Sequence, residues 1–148
     1  MLEHSFDRDI FFTAVPDYQP KPGDVVLDVG AHLGDFSLLA ASRVSPGPVY
    51  AVEPCAATFD LLALNLDLND CRNVVACRLA LGDRDGTCTL YHSPPGEDWG
   101  NSTTHDHAGT HELAPCRSLA SFFAEHGIDR VDFAKLNCEG GEFQIILA

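Results

Sequence analysis

The 148-residue chain is 45% hydrophobic and 21% charged, one domain's worth of ordinary globular composition, and no run approaches the roughly 18–20 apolar residues that a membrane helix needs. Twenty-two acidic against nine basic residues leave a net charge of −13 with no Lys/Arg cluster, which argues against nucleic acid and anionic membrane surfaces as partners, since cations meeting phosphates supply most of that affinity. The start, Met1-Leu-Glu-His-Ser-Phe-Asp-Arg-Asp9, has acids where a leader peptide has a basic end and an apolar stretch, so a cytoplasmic address and a small-molecule substrate are the expectation.

Strand and helix signals then alternate, predicting an α/β domain with a mostly parallel sheet and flanking helices. After a lead-in ending in Pro20-Lys-Pro-Gly23, Val25–Val29 is a nearly continuous apolar run, as a strand buried on both faces reads. Gly30 to Val44 is helical in pattern and is stopped by Ser45-Pro-Gly-Pro48. Val49–Val52 is a second strand, and Thr58–Asn69 a helix with Phe59, Leu62 and Leu66 on one face.

Val74–Leu81 is predicted as a third strand, with the turn Gly82-Asp-Arg-Asp-Gly86 folding Thr87–His92 back on it as a hairpin. Residues 93 to 116 read as one long irregular loop rich in Pro, Gly, His and Thr. Ser118–His126 is a short helix closed by Gly127, Val131–Leu136 a further strand, and a last helix starts at Gly140. Four parallel strands and one hairpin strand are fewer than the seven or so of a complete domain of this kind. A single domain over residues 1–148, lacking its last strands, is therefore expected. The sheet edge so exposed would favour a second copy or a partner chain. Cys55, Cys71, Cys77, Cys88, Cys116 and Cys138 form no CxxC pair or zinc-like spacing and read as reduced, mostly buried side chains.

In a doubly wound sheet the ligand lies beyond the carboxyl end of the first strand, where small residues lead into a helix N-terminus. Asp28-Val-Gly30-Ala31-His32-Leu-Gly34 fits that place. A dinucleotide loop has glycine at the first position of G-x-G-x-x-G; here Asp28 stands there, and the spacing is D-x-G-x-x-x-G. A carboxylate repels a pyrophosphate but attracts the ammonium of a methionyl group, whose own carboxylate would take the helix N-terminus. Glu53, followed by Pro54, ends the second strand roughly 20 residues beyond the loop, where an acid can accept both ribose hydroxyls. Together these predict S-adenosyl-L-methionine rather than a nicotinamide dinucleotide as cofactor.

At this point the chain resembles the FkbM-type methyltransferase family. The blocks that carry the likeness are Lys21-Pro-Gly-Asp-Val-Val-Leu-Asp-Val-Gly-Ala31, Ala51-Val-Glu-Pro54 and Leu64-Asn-Leu-Asp-Leu-Asn69, then Ala80-Leu-Gly-Asp83 with Gly86, Gly100-Asn-Ser102, and Lys135-Leu-Asn-Cys-Glu-Gly-Gly-Glu142. The resemblance implies a Rossmann-like class I methyltransferase fold and methyl transfer from S-adenosyl-L-methionine, commonly to an oxygen of a sugar, polyketide or other small metabolite. It adds Ala80 and Ser102 to the cofactor-binding set of Asp28, Gly30, Ala31, His32, Gly34, Glu53 and Pro54. Two positions depart from the family pattern. Asn137 stands where an aspartate is usual, and His32 where an asparagine is common.

Catalysis requires the acceptor hydroxyl to be held in line and its proton removed. Asn137 and Glu139 are the catalytic candidates, although an amide cannot act as a base and Glu139, like Glu142, would also complement the last helix's dipole. Lys135 reads as structural. His105-Asp-His107 with His111 invites a metal reading, but histidines clustered in a loop are more often solvated, and no metal site is assigned. Trp99 could stack on a planar ligand or anchor the loop. The alternative to a methyltransferase is a truncated, catalytically silent cofactor-binding module that depends on a partner chain.

Overall fold

A computed structural model describes residues 10–93, 101–104 and 110–147. Trp99, Gly100 and the His105-Asp-His107 group lie outside those residues. In chain order the elements are α1 (Ile10–Thr13), β1 (Val26–Val29), α2 (Asp35–Val44), β2 (Val49–Val52), α3 (Ala56–Leu68), β3 (Val74–Cys77), β4 (Ala80–Gly82), β5 (Gly86–Tyr91), β6 (His111–Ser118), α4 (Leu119–His126), β7 (Phe133–Leu136) and α5 (Glu142–Ile146).

Four strands form a parallel sheet in the order β3-β2-β1-β7. The order turns back at β1, whose neighbours are β2 on one side and β7 on the other. That reversal is the switch point at which open α/β sheets hold their ligands. All four residues of β1 are buried, as its apolar run predicts. Their alternation loads both faces. Val26 joins Phe12, Phe36, Leu39, Val44 and Val49 on one side, and Leu27 and Val29 join Val52, Phe122, Ile128 and Ile145 on the other. Fully burying side chains of this size stabilises by about 1.5–3 kcal/mol each, so these clusters hold α2 and α4 to opposite faces.

The lead-in is more than a connector. Phe11, Phe12 and Tyr18 pack with Phe36 and Phe133 at ring centroid distances of 4.8–6.0 Å, covering the end of the sheet beside β7. Such pairs contribute about 0.5–1.5 kcal/mol beyond area burial.

The helices follow their end signals. Ser118 caps α4 by accepting the Ser121 N–H at 3.2 Å, and Gly127 ends it in the left-handed conformation. The helix expected from Gly30 begins only at Asp35. Gly30 and Gly34 both take positive φ, as does His32 between them, so residues 30 to 34 form a loop.

Three further expectations are corrected. Val74–Leu81 is two strands: β3 closes the parallel sheet, and after Arg78 and Leu79 the chain enters β4 in a second sheet of order β4-β6-β5. Thr87–His92 does not pair back on that strand. β5 runs antiparallel to β6, which inserts between it and β4. Residues 111 to 118, expected to be mostly loop, are therefore a strand, despite Pro115. A proline lacks the N–H that a strand paired on both sides needs. β4 pairs only from Cys116 onward, so at Pro115 the strand has β5 alone as neighbour.

Candidate functional site

The cavity at the carboxyl ends of β1, β2 and β7 is lined by Gly30, His32, Asp35, Glu53, Pro54 and Ala80, with Asn101, Thr103, Lys135, Asn137 and Glu139 across from them and Phe11, Leu79 and Leu90 supplying apolar wall. Its volume, about 190 Å3, is below the roughly 300–1,000 Å3 of pockets that bury a whole drug-sized ligand. A cavity of that size can enclose part of such a ligand.

Glu53 is built into this site from below. The residue is 6% exposed; Oε2 accepts the His32 N–H at 2.9 Å, and Oε1 accepts the Cys55 N–H at 3.0 Å. Burial pushes its carboxyl above the usual range, and the two backbone N–H groups pull it part of the way back. Each oxygen retains a second lone pair, so the oriented carboxylate can still accept two hydroxyls.

Asp28 takes a different place from the one expected. It is fully buried, outside the cavity wall, and its carboxylate accepts Ser37 Oγ at 2.6 Å and Lys135 Nζ at 2.9 Å. The register explains the pairing, because Asp28 lies directly beside Lys135 across β1 and β7. Burial raises the Asp28 carboxyl, opposed by the Lys135 ammonium and the Ser37 hydroxyl. The acid at the end of an apolar strand thus answers to an internal lysine. Lys135 also donates to the Gly30 carbonyl at 2.8 Å and reaches the cavity wall. The acid that lines the cavity beside this loop is Asp35, in the first turn of α2.

The glycines have packing reasons of their own. A Cβ on Gly30 would collide with the Asn137 carbonyl oxygen, so Gly30 lets the end of β7 approach β1. A Cβ on Gly34 would lie 2.6 Å from Leu62 Cδ1. Neither Gly34 nor Ala31 lines the cavity, and Ala31 is buried in the contact between α2 and α3.

Ser102 lies behind the wall. Its backbone pairs with Tyr91 in an isolated bridge, and its hydroxyl donates to the Glu139 carbonyl at 2.8 Å. This ties residues 101–104 to the turn after β7 and presents Asn101 and Thr103 to the cavity. Glu139 takes a positive φ of 50° at that turn, and Asn137 and Glu139 are both solvent-exposed at the rim. Glu142 anchors the turn from α5, accepting the N–H groups of Cys138 at 2.8 Å and Gly140 at 3.0 Å. His111 lies on β6, its ring 6.3 Å from Tyr91. Lys135, Asp35, Asn101, Thr103 and Phe11 are wall residues not singled out for the site from sequence. The neighbours of Ser102 were the available signal for two of them.

A parallel sheet whose order reverses at β1, with a cavity at that switch point walled by a strand-end acid, places the chain in the class of Rossmann-like open α/β domains. The Methyltransferase FkbM domain family matches residues 28–148, and the chain belongs to it. Relatives include "Methyltransferase 1" of Beauveria bassiana (strain ARSEF 2860), 28% identical over 94% of this chain and 64% of that protein. "Methyltransferase sdnD" of Sordaria araneosa is 25% identical over 94% of this chain and 66% of its own. The chain thus spans somewhat less than two thirds of the length of both. Among solved structures, a SAM-dependent methyltransferase from Aquifex aeolicus overlaps 55% of this chain and 43% of its own at 20% identity, with a TM-score of 0.46. TYW2 of M. jannaschii in complex with AdoMet overlaps 50% and 36% at 29% identity, with a TM-score of 0.41. Among the described residues, no helix is long and apolar enough to cross a membrane.

Proposed function

We propose that this domain binds S-adenosyl-L-methionine in the switch-point cavity and directs methyl transfer to an oxygen of a small metabolite. The observation that carries the reading is Glu53. It is a buried carboxylate at the end of β2, held by two backbone N–H groups, with one acceptor site left on each oxygen for the two hydroxyls of a ribose. Pro54 and the apolar wall of Leu79 and Leu90 suit the faces of a base next to that sugar. At the other end, Asp35 offers negative charge to an ammonium. Lys135, with two of its three N–H donors committed to Asp28 and Gly30, has a third for a carboxylate. Lysine alone does not separate a carboxylate from a phosphate. Membership of the methyltransferase family favours the methionyl group.

When bound, the cofactor would supply an activated methyl on a sulfonium. This chain's residues would orient the acceptor and take up its proton. Asn137 can hydrogen-bond the incoming hydroxyl, while Glu139, exposed at the rim, is the carboxylate to receive the proton, an assistance worth roughly 10²–10⁴-fold. Ser102 holds the Glu139 backbone in place for that task.

Calorimetric titration of S-adenosylhomocysteine, with NADH as the competing ligand, tests the reading. Saturable binding of S-adenosylhomocysteine, weakened tenfold or more by Glu53→Ala, is expected, with no heat from NADH. Binding of NADH alone, or an unchanged affinity in Glu53→Ala, overturns it. A domain that binds the cofactor but transfers no methyl to hydroxylated metabolites would be a silent binding module instead.

A further inference from the structure

We propose that Cys55, His92 and Glu112 form a binding site for a zinc-class divalent cation, which fastens the second sheet to the start of α3 beside the cofactor cavity. Their ligand atoms (a thiol sulfur, an imidazole nitrogen and a carboxylate oxygen) all lie within 4.8 Å of one another. His92 Nε2 and Glu112 Oε1 are 3.8 Å apart, beyond direct hydrogen-bonding distance. Ligands on one tetrahedral zinc, at about 2.0–2.3 Å from the metal, are separated from each other by roughly 3.2–3.7 Å. Side-chain adjustments of about an ångström therefore close the set.

Each ligand comes from an anchored piece of backbone. Cys55 is 4% exposed, and its N–H is fixed by Glu53. The His92 N–H donates to the Thr110 carbonyl at 3.0 Å, where the chain leaves β5. Glu112 lies within β6, in register with Leu90. His92 and Glu112 are each about 30% exposed, which leaves an approach from solvent. One thiolate, one imidazole and one carboxylate are a donor set suited to zinc. Three protein ligands leave a fourth position for water or another ligand. On binding, the Cys55 thiol gives its proton to solvent and forms the S–metal bond, and no electrons change hands.

The simpler role of Glu112 is to cap α3, since its Oε1 accepts the Ala56 N–H at 3.3 Å. That role accounts for the carboxylate but gives no part to the thiol. The two roles are compatible, because the oxygen has two lone pairs and its partner Oε2 is a further ligand atom.

The test is titration of the metal-stripped chain with Co2+, followed by Zn2+ displacement. One equivalent per chain with a thiolate-to-cobalt charge-transfer band is expected, unchanged in Cys71→Ser, abolished in Cys55→Ser and at least tenfold weaker in His92→Ala. Zn2+ should also raise the melting temperature of the wild type but not of Cys55→Ser. Glu112→Gln keeps an acceptor for the helix and lowers metal affinity while leaving the apo melting temperature near wild type. A band that survives Cys55→Ser, no band at all, or metal binding indifferent to both His92→Ala and Glu112→Gln overturns the proposal. None of these readouts depends on cofactor binding.

Discussion

Lys135 and Asp28 lie side by side on β7 and β1, their charged groups 2.9 Å apart, with the carboxylate fully buried. This one pair joins the neighbouring strands and, through the second lysine bond to the Gly30 carbonyl, ties in the loop beside the switch-point cavity. It also decides which charges face the cavity. Asp28 is neutralised inside the sheet, while Lys135 and Asp35 line the wall.

The first prediction follows from desolvation. Removing one member of a buried pair strands the other, at a cost of about 3–5 kcal/mol. Lys135→Met, which leaves the fully buried Asp28, should lower the urea midpoint strongly, and Asp28→Asn less, because Lys135 keeps the Gly30 carbonyl and faces the cavity. The double variant should recover a substantial part of the loss, since no uncompensated charge then remains. Single variants within about 1 kcal/mol of the wild type would mean that the pair contributes little.

How much of this was legible beforehand depended on the range of each signal. β1, β2, β7 and the ends of α2 and α4 were readable because apolar runs, the Ser45-Pro-Gly-Pro48 stop and Gly127 act locally. Glu53 was readable for the same reason, as an acid closing a strand. The Asp28–Lys135 pair was not, because it depends on β7 lying beside β1 with no stagger between residues more than 100 positions apart. The second sheet was misread on similar grounds. β6 holds Pro115 and carries an exposed Leu113, so its pattern looks like loop until β5 and β4 are seen on its two sides. Gly30 lines the cavity and also makes room for the Asn137 carbonyl, a long-range contact that the D-x-G-x-x-x-G spacing does not reveal.

That double role gives the second prediction. Gly30 and Gly34 both have positive φ, where an added Cβ costs about 1–2 kcal/mol by itself. Gly34→Ala meets the end of a flexible leucine, Leu62, which can shift. Gly30→Ala meets backbone, the Asn137 carbonyl, and must push β7 away from β1. Thermal unfolding should therefore rank Gly30→Ala well below Gly34→Ala, with cofactor affinity lost in the former. Equal melting temperatures, or the reverse order, would contradict the close approach.

The third prediction concerns Glu53 and pH, and it has two opposed signs. Burial raises the carboxyl in the ligand-free fold, so it gains a proton at a higher pH than the roughly 4.3 of the unfolded chain. Only the ionised form accepts hydroxyls at both oxygens. Cofactor affinity should be full above the raised value and fall as pH drops through it, at less acidic pH than an ordinary glutamate would give. Stability of the free protein moves the other way. In the window between the two values the folded state binds the proton better than the unfolded state, so this group's contribution becomes more favourable as pH falls. Other carboxylates also titrate in acid, so the quantity to measure is the difference between wild type and Glu53→Gln. Calorimetric affinity for S-adenosylhomocysteine and urea unfolding, both taken from pH 7 to pH 4, should show that difference shrinking for binding and shifting in favour of the wild type for stability. Parallel pH profiles for the two proteins in both measurements would remove Glu53 from the ribose site.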